Sequence, residues 1–368
     1  MLNGKTVLGA LCWKAGMAFV VMLLVISFSP QVSSGQTTNE LFTDASLNAD
    51  LYAQQEKEKQ DPTIKRSRHV QIKPGLLDRQ DIPFPGLPQP GAALPELPPS
   101  AAVQERPIVL NLFGDVSFLA IKDRMEMRSG SRYTWFGHVD GIKDSQVILV
   151  NEGGHLAGSV LVSEKHYQIR PTGGGDHAIY EVDESAYPPH ADPIPVETED
   201  TPSVTSPQAS LSTNPTANIT PFPTAACCDN GTVIDVMVVY TTAAAAASGN
   251  IASEIQLAID SANAAYLNSG ISQRLRLAHT GQVAYTESGD GGVDLGRLVN
   301  PSDGFMDQVH TLRDTYRADL VSLFVERLDS GGIALLMTSV TPAFAPYGFS
   351  IVRRSLVSPS RVLKKSYE

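Results

Sequence analysis

Apolar residues in this 368-residue chain are arranged in two distinct patterns separated by proline-rich stretches. Between Arg106 and Tyr187, short runs alternate apolar with polar positions: Ile108–Phe113, Val116–Ile121, Tyr133–Val139, Gln146–Val150, Leu156–Val162 and Tyr167–Arg170. Period two places successive side chains on opposite faces of a strand, and Asp140-Gly141, Gly153-Gly154 and Gly173-Gly174-Gly175 supply turns. This stretch predicts a small antiparallel β domain. From Thr232 onward, strand patterns alternate with helical ones. Val233–Tyr240 is almost continuously apolar, as in a strand buried on both faces. Asn250 stands where it can cap a helix whose Ile251, Ile255, Ala258, Ile259, Ala262 and Tyr266 recur every three or four residues, with Gly270 at its end. A strand over Leu275–Tyr285 follows. Next comes a helix opened by Ser302 and Asp303, with Phe305, Val309, Leu312 and Tyr316 on one face. Strands at Leu320–Val325, Ile333–Val340 and Phe349–Val352 complete an α/β layer around a mixed, mostly parallel sheet. The fold class expected is α+β overall.

Proline sets the boundaries. Ten of the 25 prolines lie between Asp61 and Pro107 and nine between Pro188 and Pro223, where fixed φ and the missing N–H disfavour regular structure. At the N-terminus, Lys5 and Lys14 precede the uncharged apolar run Ala15–Phe28, then Pro30 and small residues, the layout of a secretory signal peptide. The run is shorter than the roughly 20 residues a bilayer-spanning helix needs, and an uncleaved membrane anchor is the alternative. The expected organisation is a signal peptide over 1–35, an extended Pro-rich segment over 36–105, a β domain over 106–187, a Ser/Thr/Pro linker over 188–226, the α/β part over 227–352 and a divergent basic tail over 353–368. Residues 353–368 carry five Lys or Arg against one Glu, a net of +4, whereas 227–352 carry six Arg against 13 Asp or Glu, a net of −7. The mature protein is expected to be secreted or periplasmic, with no stable membrane span.

Charge and motifs narrow the chemistry. Twenty-eight Lys and Arg against 39 Asp and Glu, a net of −11, disfavour nucleic acid as a partner. Where a nucleotide site needs a Gly-rich turn after its first strand, this chain has Thr241-Thr242 and five alanines. It contains neither G-x-S-x-G nor C-x-x-C. Asp329-Ser330-Gly331 matches the loop of aspartic proteases, but there is no second copy and it reads as a turn. None of the eight His is followed by Glu and no two stand four apart, so no helical pair can face one metal. His310 is expected to be a solvated helix residue and His279 a hydrogen-bonded or exposed strand residue. Cys227-Cys228 has three readings: half of a bridge whose partner the chain lacks, which we favour, a metal-capping thiolate in a zymogen, or an inert pair.

The chain resembles the secreted reprolysin-like zinc metallopeptidases of the metzincin group, bacterial precursors with a long propeptide in particular. In the β region the resemblance is carried by Tyr133-Thr134-Trp135-Phe136-Gly137-His138-Val139, Gly158-Ser159-Val160 and Tyr167-Gln168-Ile169-Arg170-Pro171. In the α/β region it is carried by Ile234-Asp235-Val236-Met237-Val238-Val239-Tyr240-Thr241, Ala318-Asp319-Leu320-Val321-Ser322-Leu323 and Phe344-Ala345-Pro346-Tyr347. It implies an N-terminal antiparallel β propeptide-like domain followed by an incomplete α/β metzincin-like upper subdomain. In such families the last strand leads into a helix carrying HExxHxxGxxH, whose His residues bind zinc while the Glu activates water. Phe349-Ser350-Ile351-Val352-Arg353 looks like that approach, and Arg354–Glu368 departs from it. The resemblance therefore implies a truncated precursor of a secreted zinc-dependent metalloendopeptidase, inactive as it stands. No catalytic or metal-binding residue carries over. Zinc is expected in intact relatives and no cofactor in this chain. What does carry over is the substrate-facing edge strand, here Gly332, Ile333, Ala334, Leu335 and Leu336, which pairs with an extended peptide by β-augmentation. A peptide or protein is thus a partner only with the active helix present, and without that helix part of the sheet is left uncovered, which favours low stability. The alternatives are a non-catalytic exported binding or chaperone-like β-domain protein and an extracytoplasmic structural or adhesive protein.

Overall fold

A computed structural model describes residues 39–46, 49–73, 75–77, 107–189, 191–197 and 233–357. The expected signal peptide, the stretch 78–106, His190, the linker 198–232 with Cys227 and Cys228, and the tail 358–368 lie outside the described residues.

The first layer is a nine-stranded sheet made of β1 (Phe42–Asp44), β2 (Ile64–Ile72), β3 (Ile108–Phe113), β4 (Val116–Met127), β5 (Tyr133–Val139), β6 (Gln146–Glu152), β7 (His155–Val162), β8 (Lys165–Gly173) and β9 (Asp176–Val182). Its order is β1-β2-β9-β8-β7-β6-β5-β4-β3, antiparallel throughout. The two outer strands meet where the Leu41 N–H donates to the Val109 carbonyl and the Val109 N–H to the Asn39 carbonyl, both at 2.9 Å, so the sheet closes on itself. Alternation then sorts the side chains. Leu110, Trp135, Leu149, Tyr167 and Ile169 fill the interior. Gly137 is required there, because a Cβ would overlap the Ile121 carbonyl and the Trp135 ring.

The segment expected to be extended, 36–105, contributes β1, the helix α1 (Ala49–Glu58) and β2 to this layer. Strand β2 reads IKRSRHVQI and hides its strand character behind charge. Its arginines are paired with residues distant in sequence: Arg66 Nε lies 2.7 Å from Glu181 and Arg68 Nε 2.8 Å from Asp44.

The second layer is a six-stranded sheet of β10 (Ile194–Val196), β11 (Val233–Thr241), β12 (Arg274–Val283), β13 (Leu320–Val325), β14 (Gly332–Met337) and β15 (Phe349–Arg353). The order is β10-β14-β15-β13-β11-β12, parallel at every pairing except β14 with β15. The helices are α2 (Thr242–Ala247), α3 (Ile251–Asn268), α4 (Gly291–Val299) and α5 (Gln308–Tyr316). Met237, Val239, Leu323 and Ile351 face Leu295 and Leu298 of α4 and Val309 of α5. On the opposite face, Val236, Val238 and Phe324 meet Ile255 and Ile259 of α3. Helix α3 starts where expected, with the Asn250 carboxamide oxygen accepting the Ser253 N–H at 2.9 Å, and Gly270 follows its end at φ +70°. Helix α5 starts later than expected. Residues 302–307 form a turn in which Asp303 accepts the Phe305 N–H and Asp307 the Gly304 N–H.

The two layers share one interface. Phe136, Ile148 and Val150 point outward from the first sheet onto Leu257 and Ala264 of α3. The Thr134 hydroxyl donates to Asp260 at 2.6 Å, and the Gly249 N–H donates to the Pro171 carbonyl at 3.2 Å. The basic tail begins inside the fold. Arg353 ends β15, and the buried Arg354 is 2.8 Å from both Glu254 and Glu326. A guanidinium between two carboxylates belongs to the packed layer, so the compositional break at 353 is not a structural one.

Candidate functional site

Strand β14 holds all five residues expected on the substrate-facing edge. Gly332, Ile333 and Ala334 pair antiparallel with Val352, Ile351 and Ser350 of β15. Leu335, Leu336 and Met337 pair in parallel with Ile194, Pro195 and Val196 of β10. The expected edge is therefore covered over its second half by a strand from the segment read as linker. Two prolines at alternate positions, Pro193 and Pro195, concealed that strand, because proline within a run argues against pairing and only an edge position tolerates it.

Beside this edge lies an apolar cavity of about 660 Å³ on the α3 face of the sheet, lined by Val238, Ile259, Phe324, Ala334, Val352 and Leu356 among others. The described residues that wall it form no cluster of titratable groups. That composition suits packing against apolar matter, not acid–base work.

The histidines that could serve a metal are scattered among structural roles. His69 Nε2 lies 3.1 Å from Glu58, which also accepts the Tyr180 hydroxyl at 2.8 Å, tying α1 to β2 and β9. Burial pushes the Glu58 carboxyl up, but hydrogen bonds from His69, Ser67 and Tyr180 together bring it below its ordinary value. His177 Nε2 accepts the Leu156 N–H at 3.0 Å, and burial, aided by nearby His155, drives its pKa down to about 4. Ser159 Oγ, His166 Nε2 and Nδ1, and Glu184 stand in the order of a nucleophile, base and acid, at 3.0 and 3.4 Å. Ser159 and His166 are each only 2% exposed, so no substrate reaches them and the array serves the core. His279 stacks on Tyr316 with ring centroids 3.7 Å apart. His310 is not a solvated residue: it is half-buried, bonds the Leu298 carbonyl at 3.1 Å and packs near Phe349. Asp329 of the Asp-Ser-Gly turn accepts the Gly291 N–H at the start of α4, a structural contact.

Comparison with known proteins bears on the part of the second layer from β11 onward. Residues 230–365 match the model of the metallo-peptidase family M12 described as Reprolysin_5, a stretch that runs from β11 into the basic tail. That stretch is similar to reprolysin-like metallopeptidases. The chain is 33% identical over 244 residues to the peptidyl-Asp metalloendopeptidase of Stenotrophomonas maltophilia (strain R551-3), covering 61% of this chain and 55% of that protein. It is 32% identical over 208 residues to the enzyme of the same name from Xanthomonas campestris pv. campestris, covering 56% and 46%. The chain thus spans about half the length of the curated relatives it matches. Among solved structures, metalloproteinase-II from Bacteroides fragilis aligns with a TM-score of 0.36 at 9% identity, over 69% of this chain and 76% of that one. A likeness that low carries no weight for the site.

A reprolysin-like metallopeptidase implies zinc, which needs three protein ligands and an open position. Among the described residues no three His, Cys, Asp or Glu come together, and the 368-residue sequence contains no HExxH. The described residues do not fit the ion, and no catalytic step is assigned to them. Among the described residues, no helix is long and apolar enough to cross a membrane.

Proposed function

We propose that the protein belongs functionally to the secreted zinc metalloendopeptidases. In this reading the nine-stranded sheet is the propeptide domain, the six-stranded sheet is the upper part of a catalytic domain, and β14 is its substrate-facing edge. The observation that carries the reading is the M12 match from β11 through β15, joined to two relatives named peptidyl-Asp metalloendopeptidase. Their name makes peptides containing Asp the substrate class. The N-terminal run Ala15–Phe28 supports export. In this reading the 368 residues are inactive by themselves, because no two His in the sequence stand one helical turn apart and the described residues bring no metal ligands together.

A chimera tests the scaffold. Fusing the HExxHxxGxxH helix of a relative after Val352 is expected to yield chelator-sensitive cleavage of Asp-containing peptides. A folded, zinc-loaded chimera that cleaves nothing would contradict the reading.

A further inference from the structure

Between the two layers lies a second cavity, of about 470 Å³. Its walls come from α1, β8 and β9 on one side, and from α2, the start of α3 and the residues that follow β13 and β15 on the other. Glu58, Tyr180 and Arg354 line it while only 6%, 5% and 7% exposed, so charged and polar groups are held against a cavity in the interior. The acceptors of the wall are engaged. Glu58 lies 3.1 Å from His69 Nε2 and accepts the Tyr180 hydroxyl at 2.8 Å. Glu254 accepts from Arg354 Nη1 at 2.8 Å and from Ser248 Oγ at 2.9 Å, and Glu326 accepts from Arg354 Nε at 2.8 Å. Several donors are not. Arg170 uses only Nη2, on the Gln168 side chain and the Ser355 carbonyl, and among the described residues its Nε and Nη1, like Arg354 Nη2, have no hydrogen-bond partner. In the same wall the Thr172 and Ser355 hydroxyls are buried and also lack a partner among the described residues.

A wall with spare donors calls for a ligand that brings acceptors. Planar guanidinium N–H groups match a carboxylate or a phosphate. Charge decides between the two. The wall carries three cationic side chains, Lys57, Arg170 and Arg354, against the carboxylates of Glu58, Asp61, Glu254 and Glu326, and these four repel a dianion more than a single negative charge. The volume lies within the roughly 300–1,000 Å³ of small-molecule sites, and Ala53, Ala246 and Ala247 in the wall suit short aliphatic side chains. We propose that this cavity binds the free C-terminal carboxylate of a short peptide, about a dipeptide in size, and that the bound peptide ties the two layers together. Both layers wall the cavity, so separating them breaks the site, and a ligand that binds only the joined form holds it joined. No residue of β14 lines the cavity, so this binding is separate from the edge strand.

Calorimetric titration of the full chain with N-acetyl-alanyl-alanine, with its C-terminal amide and with inorganic phosphate tests the carboxylate. Hydrogen exchange at Gly249, whose N–H crosses between the layers to the Pro171 carbonyl, tests the tie. The acid is expected to bind once per chain and, at ten times its dissociation constant, to slow exchange at Gly249 roughly tenfold. The amide and phosphate should bind more weakly by roughly tenfold or more. Thr172→Val/Ser355→Ala removes two hydroxyls that bond nothing among the described residues, so the chain should fold as before while its affinity for the acid falls roughly tenfold. Arg170→Gln should weaken the acid to a similar extent and narrow its advantage over the amide. Four results overturn the proposal: no binding of the acid at millimolar concentration, amide or phosphate binding as tightly as the acid, no slowing at Gly249, or an affinity unchanged in both variants. The acid, amide and phosphate titrations need only the wild-type chain, so they decide even if neither variant folds.

Discussion

Replacing Arg354 by methionine would remove the guanidinium that separates two acidic side chains of the second layer. That group is 7% exposed, with Nη1 2.8 Å from Glu254 and Nε 2.8 Å from Glu326. Burial acts against its charge, but the two carboxylates more than offset this and hold its pKa above the ordinary arginine value. Removing one member of a buried ion pair costs about 3–5 kcal/mol, because a charge is left without compensation. The Glu326 side chain is 30% exposed and so is partly screened by water, which brings the expected loss to about 2–4 kcal/mol. With a urea slope of about 2–3 kcal/mol per M, the unfolding midpoint at pH 7, followed by circular dichroism, should fall by roughly 1 M. The triple variant Arg354→Met/Glu254→Gln/Glu326→Gln should recover most of that, since neutral amides leave no buried charge to compensate. An unchanged midpoint for Arg354→Met would mean that the residues after β15 are not packed as described, and the reasoning would fail.

Three further outcomes follow from burial and from the space around two glycines. His177 titrates at about 4 when folded and near 6.5 when unfolded, so the unfolded chain takes up the proton first as pH falls. Its contribution is complete above about pH 6.5 and is lost toward pH 4, about 3 kcal/mol in all, and His177→Gln should flatten that part of a stability–pH curve. At Gly249, a Cβ would overlap the Pro171 backbone, so Gly249→Ala should lower the thermal midpoint at a cost of about 1–3 kcal/mol. Gly296 in α4 has open space where a methyl group would project, with no described neighbour within 4 Å, and Gly296→Ala should instead stabilise by up to about 1 kcal/mol.

Elements with their own periodicity were legible in the sequence. The apolar run of β11 and the Asn250 cap with its three-four repeat placed the centre of the second layer, and alternation placed β3 and β5 to their observed bounds. Elements whose stability comes from distant partners were not. Strand β2 depends on Glu181 and Asp44 to accommodate its arginines, and α2 is a run of alanines with no amphipathic face. Helix α4, GGVDLGRLV, starts with two glycines that argue against a helix until the Asp290 carboxylate is seen accepting the Val293 N–H at 2.9 Å. At the candidate site, β14 was legible as an apolar run after Gly331-Gly332, expected over Ile333–Val340 and observed over Gly332–Met337. Its neighbour β10 was not, because a proline-flanked triplet has no period. Arg354 read as part of a basic tail because net charge does not tell a paired, buried guanidinium from a solvated one.

The central claim is that the described residues of this chain, for all the similarity of 230–365 to reprolysin-like metallopeptidases, bring together no set of ligands for a catalytic zinc ion. Equilibrium dialysis of residues 36–368 against zinc, with metal counted per polypeptide and cleavage of an Asp-containing peptide followed with and without chelator, tests it most directly. The account predicts less than one tightly held ion and no chelator-sensitive cleavage. One retained equivalent accompanied by such cleavage would contradict it.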